Sequence, residues 1–539
     1  MALTPASRAR DLQRLRTEEF DVVVIGGGIT GAGAFLEAAS RGYRAALIES
    51  GDFASGTSSA SSKLIHGGLR YLKQGEVGLV YENLAERSLL LKNAPSLVSK
   101  LDFVIPIPKR VGALDFTLRL SYSAVLWGYD LTGGYRIRQF HRRIGASDVK
   151  FMLPRLEVES LASAFIYHDA WCDDVRLVLA TLRAARRYGA VALNYLGANA
   201  IIHGDDGRVS AVAVRGRYQG DTPDTTQEFE IRTKAVINAT GISAERFLSD
   251  KSFTIRPAKG VHIVFSQRKL PSKVAAVLPV PSDNRTIFLL PWGDYTYVGT
   301  TDTDLGEGKL ATTMDDIDYL LNAVNASLDI KLTHADITGA WVGVRPLVAS
   351  TNKKRKLSER TKDLSRRHKI IVDRAGTISV IGGKLTTYRK MGADAIDALD
   401  TLSARRTTSV SSSLSLEDGD PHSPSSAAAH ASHLAQRYGS VASRIPKYLD
   451  GRDPITSGPW TIQPGEISFM VEEENALSLA DILLRRIRVG ILDQAAAKSL
   501  APSVLAELAN KLNFTPEESK RSLDEFYEAL RQEMPEMPA

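Results

Sequence analysis

The sequence has a single cysteine and no long apolar run. Cys172 stands alone among 539 residues, which excludes an intrachain disulfide and multi-cysteine zinc or iron–sulfur sites. We therefore expect no metal and a reducing, cytoplasmic environment. No segment approaches the roughly 18–20 apolar residues that a membrane-spanning helix needs. The first twenty residues mix arginines with acidic residues, so neither a signal peptide nor a transit peptide is expected.

The charges are nearly balanced. Lysine and arginine number 68 against 62 acidic residues, a formal net charge of +6, and this mild excess favours anionic substrates or an anionic membrane surface. No zinc-finger, RNP1 or heptad pattern accompanies it, so nucleic acid is not an expected partner. Hydrophobic residues make up 43% and charged residues 24%, which is close to the average for soluble globular chains and excludes a wholly disordered or fibrous protein.

The first motif is a β-α-β unit. Residues 21–25 form a β-branched run, a glycine-rich loop follows, and the next strand, 45–48, ends at Glu49. In this context Gly26-x-Gly28-x-x-Gly31 predicts a dinucleotide site, because glycines let the backbone approach a pyrophosphate at a helix N-terminus. Glu49 is placed to bind a ribose. The loop alone does not distinguish NAD from FAD.

Later segments indicate how the chain is organised. The strands predicted at 235–238 and 377–381 also run into glycines, which indicates one sheet assembled from distant segments. The runs between about 101 and 370 alternate with turns and favour antiparallel strands. A serine-rich stretch predicts a linker, and the chain beyond it has a helical pattern.

Two more glycine pairs carry basic neighbours, Gly67-Gly68-Leu69-Arg70 and Gly382-Gly383-Lys384. With them, the chain resembles the FAD-dependent glycerol-3-phosphate dehydrogenases of the glycine/D-amino-acid-oxidase-like flavoprotein superfamily. Eight motifs match in order over about residues 21–392, and the departures, Phe35, Glu37 and Gly392, remove no reacting group. The motifs are 25–33 with Arg41-Gly42, 57–71, 171–177, 238–241, 259–262, 298–302, 343–347 and 382–389.

The resemblance implies an α/β fold: a Rossmann-like FAD-binding domain interleaved with an antiparallel-sheet substrate domain, plus a C-terminal helical domain. The expected boundaries are 21–400 for the oxidoreductase domain, 401–426 for the linker and 427–539 for the helical domain. Within the first, the FAD-binding part is about 21–100, 165–250 and 370–400, and the substrate part is about 101–164 and 251–369. The implied FAD-binding residues are Gly26, Gly28, Ile29, Thr30, Gly31, Glu49, Ser50, Thr57, Ser58, Ser62, Leu64, His66, Gly383, Lys384, Leu385 and Thr386.

The implied reaction is oxidation of sn-glycerol 3-phosphate to dihydroxyacetone phosphate, by hydride transfer from C2 to flavin N5. A phosphate needs fixed cations, and His262 is the natural base. Arg345 is expected to stabilise the developing alkoxide, and Lys384 the charge on the reduced flavin. The expected catalytic residues are thus His262, Arg345 and Lys384, and the expected substrate-binding residues are Arg70, Tyr71, Arg345, Arg366 and Lys384.

Other acidic and sulfur-containing residues near these motifs have structural interpretations. Asp173 and Asp174 are expected to cap and open a helix, and Cys172 to be a small packed side chain.

The electron acceptor is not determined by these residues. A membrane quinone, in glycerol catabolism, is the first interpretation. Two alternatives stay open: an oxidase that reduces oxygen to hydrogen peroxide, and a non-enzymatic FAD-binding protein. Oligomeric state, including a homodimer, is also left open.

A quinone-reducing enzyme without a spanning segment would lie on the cytoplasmic face of the membrane. Basic and apolar residues are interleaved in one region that would suit this. They are Lys109, Arg110, Arg119, Arg136, Arg138, Arg142 and Arg143 with Phe116, Leu118, Leu120, Trp127, Tyr135 and Phe140. An equally open interpretation is that they cap and solvate the substrate domain.

Overall fold

The structure is a computed structural model of the chain. It describes residues 5–73, 75–109, 122–159, 161–216, 228–248, 252–281, 283, 285–306, 308–350, 367–418 and 433–537. Among these residues no helix is long and apolar enough to cross a membrane.

A six-stranded sheet carries the glycine-rich loop. The four residues of Val22–Ile25 are all buried, because the strand lies in the middle of the sheet with helices on its faces. In sheet order the strands are Lys369–Val372, Thr377–Ile381, Val236–Asn238, Val22–Ile25, Ala45–Ile48 and Val191–Leu193; the first pairs antiparallel with its neighbour and the rest pair parallel. The three glycine-terminated strands therefore share one sheet, as predicted from their sequence, and they are adjacent in it.

Three helices pack beside this sheet and share its apolar core: Ile29–Ser40, Asp174–Arg186 and Tyr388–Leu402. A fourth, Pro5–Thr17, lies against the other face. There it meets a small sheet of Glu19–Phe20, Glu228–Thr233, Val209–Gly216 and Leu196–His203. A helix and a two-residue strand thus precede the strand that runs into the glycine-rich loop.

The second large sheet is mostly antiparallel, as expected. Its longest pair joins Phe253–Ser266 to Ile337–Ser350 and places His262 directly opposite Trp341. The other strands are Thr303–Asp304, Tyr295–Gly299, Thr286–Trp292, Ala275–Pro279, Val98–Pro108, Leu161–Cys172, Leu64–Ile65 and Arg142–Ile144. Helices Ala146–Met152 and Met314–Asn325 pack on it through a shared core, and a short helix pair, Leu69–Lys73 and Val77–Asn93, follows strand Leu64–Ile65.

The C-terminal region is a helical domain, as predicted. Its helices are His433–Tyr438, Pro464–Glu474, Val489–Leu492, Gln494–Leu512 and Pro516–Glu533, with a π-helical turn at Asp481–Arg486 and a small hairpin of Ile455–Ser457 and Trp460–Ile462.

Buried ion pairs join this domain to the flavoprotein core. Arg486 Nη1 lies 2.7 Å from Asp52 Oδ2 with both side chains fully buried, and Arg176 Nη1 lies 2.6 Å from Glu474 Oε1. Breaking one member of such a pair is costly, because it leaves an uncompensated buried charge. The two domains therefore form one packed body.

The serine-rich stretch is packed where the structure describes it. Asn93 Nδ2 donates to Ser412 O at 3.0 Å, and Ser96 N donates to Glu417 Oε1 at 3.0 Å. Leu416 is buried in the core of the six-stranded sheet. Residues 403–418 thus lie along the domain surface, and 419–426 are outside the described residues.

Candidate active site

The glycine-rich loop is packed too tightly for side chains. Gly26 has φ of +113°, and a Cβ there would lie 2.5 Å from Ala239 O. A Cβ on Gly31 would lie 1.9 Å from Gly26 O. Helix Ile29–Ser40 therefore starts directly against the strand ends, which is the geometry that brings backbone amides to a pyrophosphate.

Polar groups at the helix start fit the ADP half of a dinucleotide. The Glu49 carboxylate accepts from Gly27 N at 2.7 Å and from Gly51 N at 2.8 Å, and Ser50 Oγ donates to it at 3.1 Å. The N-cap residue Gly28 makes no side-chain cap bond, and the first helical amide, Ile29 N, donates to Ser58 Oγ at 2.9 Å. Thr30 lies in the first turn of the same helix. This set combines a helix N-terminus with a carboxylate one strand away, as a dinucleotide requires.

The loop 57–66 connects the dinucleotide end to the second sheet. Thr57 Oγ1 donates to Val344 O at 2.5 Å. Further along, Ser62 Oγ lies 2.9 Å from His262 Nε2. Leu64 pairs with Trp171 in the large sheet.

Beyond this loop, His66 N donates to Thr386 Oγ1 at 3.1 Å. Two residues predicted to bind the cofactor, His66 and Thr386, are thus in contact although they are 320 positions apart in the sequence.

His262 is enclosed on several sides. Its ring stacks on Trp341 with centroids 4.6 Å apart and planes 14° apart. A Cβ on Gly299 would lie 2.2 Å from His262 Cδ2, so only glycine fits beneath the imidazole. Burial, together with the positive charges of Lys63 and Arg345, holds the pKa of His262 well below its ordinary value. The imidazole is consequently neutral at neutral pH, which is the form that accepts a proton. Its Nδ1 finds no hydrogen-bond partner among the residues that the structure describes.

Arg345 lies on the strand paired with that of His262, opposite Ala258. Its guanidinium lies over Gly260, where a Cβ would come within 2.7 Å of Nη2. Nη2 donates to Thr300 Oγ1 at 3.2 Å, and Nη1 lies 3.5 Å from Asp302 Oδ1. The side chain keeps a quarter of its surface exposed, so an anion can reach it.

The Gly382-Gly383 turn places Lys384 next to Tyr71. Both glycines have positive φ, +73° and +95°, and a Cβ on Gly382 would lie 3.8 Å from Pro346 O. Lys384 Nζ lies 3.9 Å from the centroid of the Tyr71 ring. The turn therefore brings Lys384 and Tyr71 together and borders the strand that carries Arg345.

Two predicted phosphate ligands have no described side chain. Arg70 lies in helix Leu69–Lys73, but its side chain is not described, and Arg366 is outside the described residues. Leu385 and Thr386 are in the 3₁₀ turn Leu385–Thr387, immediately after Lys384.

Sequence reasoning missed Lys63, which lies beside His262. Lys63 is fully buried, and its Nζ lies 3.1 Å from Asp174 Oδ2 and 4.7 Å from the centroid of Trp341. Burial, only partly offset by Asp174, lowers its pKa to about 8. Nothing in a serine-rich run distinguishes a buried lysine from a solvated one.

The structural interpretation of Asp173 is confirmed. Its side chain caps the helix by accepting from Val175 N and Arg176 N. Cys172 is buried, as expected.

The fold and the loop define a class, the FAD-dependent oxidoreductases. A family model described as FAD dependent oxidoreductase matches residues 21–389. One described as the C-terminal domain of alpha-glycerophosphate oxidase matches residues 380–519. The class and its cofactor, FAD, are as predicted.

Relatives place the chain more finely. "Glycerol-3-phosphate dehydrogenase 2" of Mycobacterium tuberculosis (strain ATCC 25618 / H37Rv) is 38% identical, with 99% of this chain and 92% of the relative covered. The mitochondrial glycerol-3-phosphate dehydrogenase of Homo sapiens is 34% identical, with 98% and 76% covered. A structure of the glycerol-3-phosphate dehydrogenase from Bacillus halodurans complexed with FAD matches with a TM-score of 0.78 at 26% identity, over 100% of both chains. The chain belongs to the FAD-dependent oxidoreductase family and, within it, to the glycerol-3-phosphate dehydrogenases.

Proposed function

We propose that the protein oxidises sn-glycerol 3-phosphate to dihydroxyacetone phosphate with FAD as its cofactor. The observation that carries this proposal is that the predicted FAD-binding loop 57–66 contacts His262 through Ser62 and the strand of Arg345 through Thr57. Lys384 follows the Gly382-Gly383 turn, which borders that same strand at Pro346. The near full-length similarity to proteins named glycerol-3-phosphate dehydrogenase supports it.

The residues that we assign to the cofactor come from two distant parts of the sequence, 26–66 and 383–386. Gly26, Gly28, Ile29, Thr30 and Gly31 address the pyrophosphate, and Glu49 and Ser50 address the adenosine ribose. FAD held by these residues would supply the hydride acceptor for carbon C2 of the substrate. The remaining predicted contacts, which we assign to the flavin half, come from Thr57, Ser58, Ser62, Leu64, His66, Gly383, Lys384, Leu385 and Thr386.

The substrate phosphate is bound by cations. Arg345 offers a partly exposed guanidinium held on its inner side by Thr300 and Asp302, and a planar fork suits a phosphate. Arg70 and Arg366 are assigned to the same anion from their positions in sequence. Tyr71 and Lys384 complete the substrate-binding set.

His262 accepts the proton of the hydroxyl group that is attached to C2. The ring is neutral, and Ser62 fixes its Nε2, which leaves Nδ1 as the atom that can accept a proton in one tautomer. Arg345 stabilises the negative charge that develops on the same oxygen. A C–H bond and an O–H bond thus break, and the carbonyl of dihydroxyacetone phosphate forms.

Anaerobic titration tests this reaction. Purified protein carrying FAD should lose its flavin absorption when sn-glycerol 3-phosphate is added without oxygen, and dihydroxyacetone phosphate should appear in equal amount. Glycerol, which lacks the phosphate, is the matched control and should leave the spectrum unchanged. Protein that stays yellow with either compound would instead support a non-enzymatic flavoprotein.

The electron acceptor is proposed to be a quinone, in glycerol catabolism. The relatives at 34–38% identity are named dehydrogenases, whereas the L-alpha-glycerophosphate oxidase of Mycoplasma pneumoniae, at 18% identity and a TM-score of 0.54, shares the fold. Reduced protein should reoxidise faster with a soluble quinone than with oxygen. Rapid reoxidation by oxygen with release of hydrogen peroxide would favour the oxidase.

Attachment to the cytoplasmic face of the membrane is proposed from an exposed apolar surface. Trp127, Tyr135 and Phe140 are each about half exposed, and Leu131 is 70% exposed. Arg138, Arg142 and Arg143 are exposed in the same segment, and basic residues next to apolar ones suit an anionic leaflet. Of the other predicted members, Lys109 bonds Glu159 O, Arg136 stacks on Tyr81, and Arg110, Phe116, Leu118, Arg119 and Leu120 lie outside the described residues.

Vesicle co-sedimentation tests this attachment. The protein should bind anionic vesicles at low salt and release at high salt, since each basic group near the surface contributes about 1 kcal/mol that salt screens. A Trp127→Ser/Leu131→Ser variant should bind less, while Tyr188→Ser, which changes an equally exposed aromatic elsewhere, should bind normally. Absence of binding at low salt would contradict the attachment.

A further inference from the structure

A buried charge cluster behind His262 includes a residue of the C-terminal helical domain. Arg488 Nη2 donates to Asp174 Oδ1 at 2.7 Å and to Ser59 O at 2.8 Å. The Arg488 and Asp174 side chains are 3% and 0% exposed. A hydrogen-bonded ion pair in such surroundings has a defined geometry, because neither group can be solvated instead.

Asp174, held in place by Arg488, in turn binds the loop 57–66. It accepts from Ser61 Oγ at 2.7 Å and from Ser61 N at 3.1 Å, and it pairs with Lys63 Nζ. Lys63 has φ of +59°, a left-handed conformation that a non-glycine residue keeps only where its surroundings hold it. The carboxylate therefore holds both sides of a three-residue turn.

Ser62 is the middle residue of that turn, and its Oγ is the group that bonds His262 Nε2. Two rings near His262 bind the same turn: Tyr297 Oη donates to Ser62 O at 3.0 Å, and Trp341 Nε1 donates to Ser61 O at 3.2 Å. A displacement of the turn would move Ser62 together with the rings that enclose the imidazole.

The geometry points to Arg488 as a positioning residue: through Asp174 it fixes the turn 61–63, and thereby the orientation of His262. This inference rests on the proposed role of His262 as the base. It gives the C-terminal domain a part in the chemistry, since the active-site turn is complete only when that domain is docked.

The pH dependence of kcat distinguishes a positioning role of Arg488 from a purely structural one, because it reports the pKa of His262. The charged groups that face it are Lys63 from the loop and Arg345 from the paired strand, with Tyr297 as the titratable neighbour on the adjoining strand. Burial is the largest cause of its low pKa. A loosened turn admits water, so the pKa of His262 rises and the acid limb of kcat moves to higher pH.

The test uses full-length protein saturated with FAD. Arg488→Lys keeps the charge and loses the fork, so kcat for flavin reduction should fall about tenfold, the effect of one lost charge-assisted contact. Its acid limb should also move to higher pH. Asp174→Asn should change both quantities in the same direction. Arg176→Lys is the matched control, because Arg176 is another buried interdomain arginine, paired with Glu474; it should lower the melting temperature while leaving kcat and the pH profile unchanged.

A double-variant cycle separates this inference from the proposed function. In a His262→Asn background, Arg488→Lys should cause little further loss of kcat, because both changes act on one step. Full additivity, or an unchanged acid limb in Arg488→Lys, would overturn the inference alone. Wild-type kcat in His262→Asn by itself would overturn the base assignment and the inference with it.

Discussion

Replacing Arg345 with lysine should reduce catalysis while leaving the fold intact. The guanidinium spans two nitrogens, with Nη2 on Thr300 Oγ1 at 3.2 Å and Nη1 near Asp302 Oδ1 at 3.5 Å. A lysine has one terminal nitrogen, so it cannot hold these inner contacts and also present a fork to a phosphate. We therefore expect the substrate to lose at least one charge-assisted hydrogen bond.

The expected size follows from that lost contact. A hydrogen bond to a charged group contributes about 1.5–3 kcal/mol, which corresponds to a roughly ten- to over a hundredfold lower kcat/KM. The melting temperature should change little, because the Arg345 side chain is partly exposed and its pair with Asp302 is long. Loss of activity without loss of stability is thus the signature of a binding role.

Steady-state kinetics with a soluble electron acceptor measures this effect. Arg256→Lys is the matched control, since Arg256 lies on the neighbouring strand and pairs with Asp304 at the surface; its kcat/KM should equal that of the unmodified protein. A kcat/KM for Arg345→Lys within twofold of that value would remove Arg345 from the substrate site.

Two further outcomes are expected. The rate of flavin reduction should stay constant as the pH falls through 6.5 and should drop only at more acidic pH. The reason is that burial and the charges of Lys63 and Arg345 lower the pKa of His262 and keep the imidazole neutral. A stopped-flow pH profile with its midpoint near 6.5 would contradict this. Asp52→Asn should destabilise the protein by about 3–5 kcal/mol in urea unfolding, because it removes a buried carboxylate that pairs with both Arg485 and Arg486. An unchanged unfolding midpoint would show that these pairs are dispensable.

The dinucleotide loop was predictable because its parts are local in sequence. Gly26, Gly28 and Gly31 lie between a strand and a helix, and Glu49 ends the next strand. Local pattern thus determines which groups meet, and the observed contacts of Glu49 with Gly27 and Gly51 follow from it. That three distant segments share one sheet was inferable in the same way, since the strands 22–25, 236–238 and 377–381 all run into glycines, but the order of the six strands was not predicted.

The surroundings of His262 were not predictable from local pattern. Ser62 and His262 are 200 positions apart, and Arg488 and Asp174 are 314 apart. Nothing in a short segment specifies such pairings, which depend on strand register and domain docking. The serine-rich stretch shows the same limit, because its composition favours a loose linker while contacts with Asn93 and Ser96 hold residues 403–418 on the surface.

The central claim is that a hydride leaves C2 of sn-glycerol 3-phosphate for the flavin while His262 accepts the hydroxyl proton. Single-turnover flavin reduction with substrate deuterated at C2 tests it most directly, in the unmodified protein and in His262→Asn. We predict slower bleaching with the deuterated substrate in both, and a much slower rate in His262→Asn. Equal rates for the two substrates in both proteins, or an unimpaired His262→Asn variant, would contradict the account.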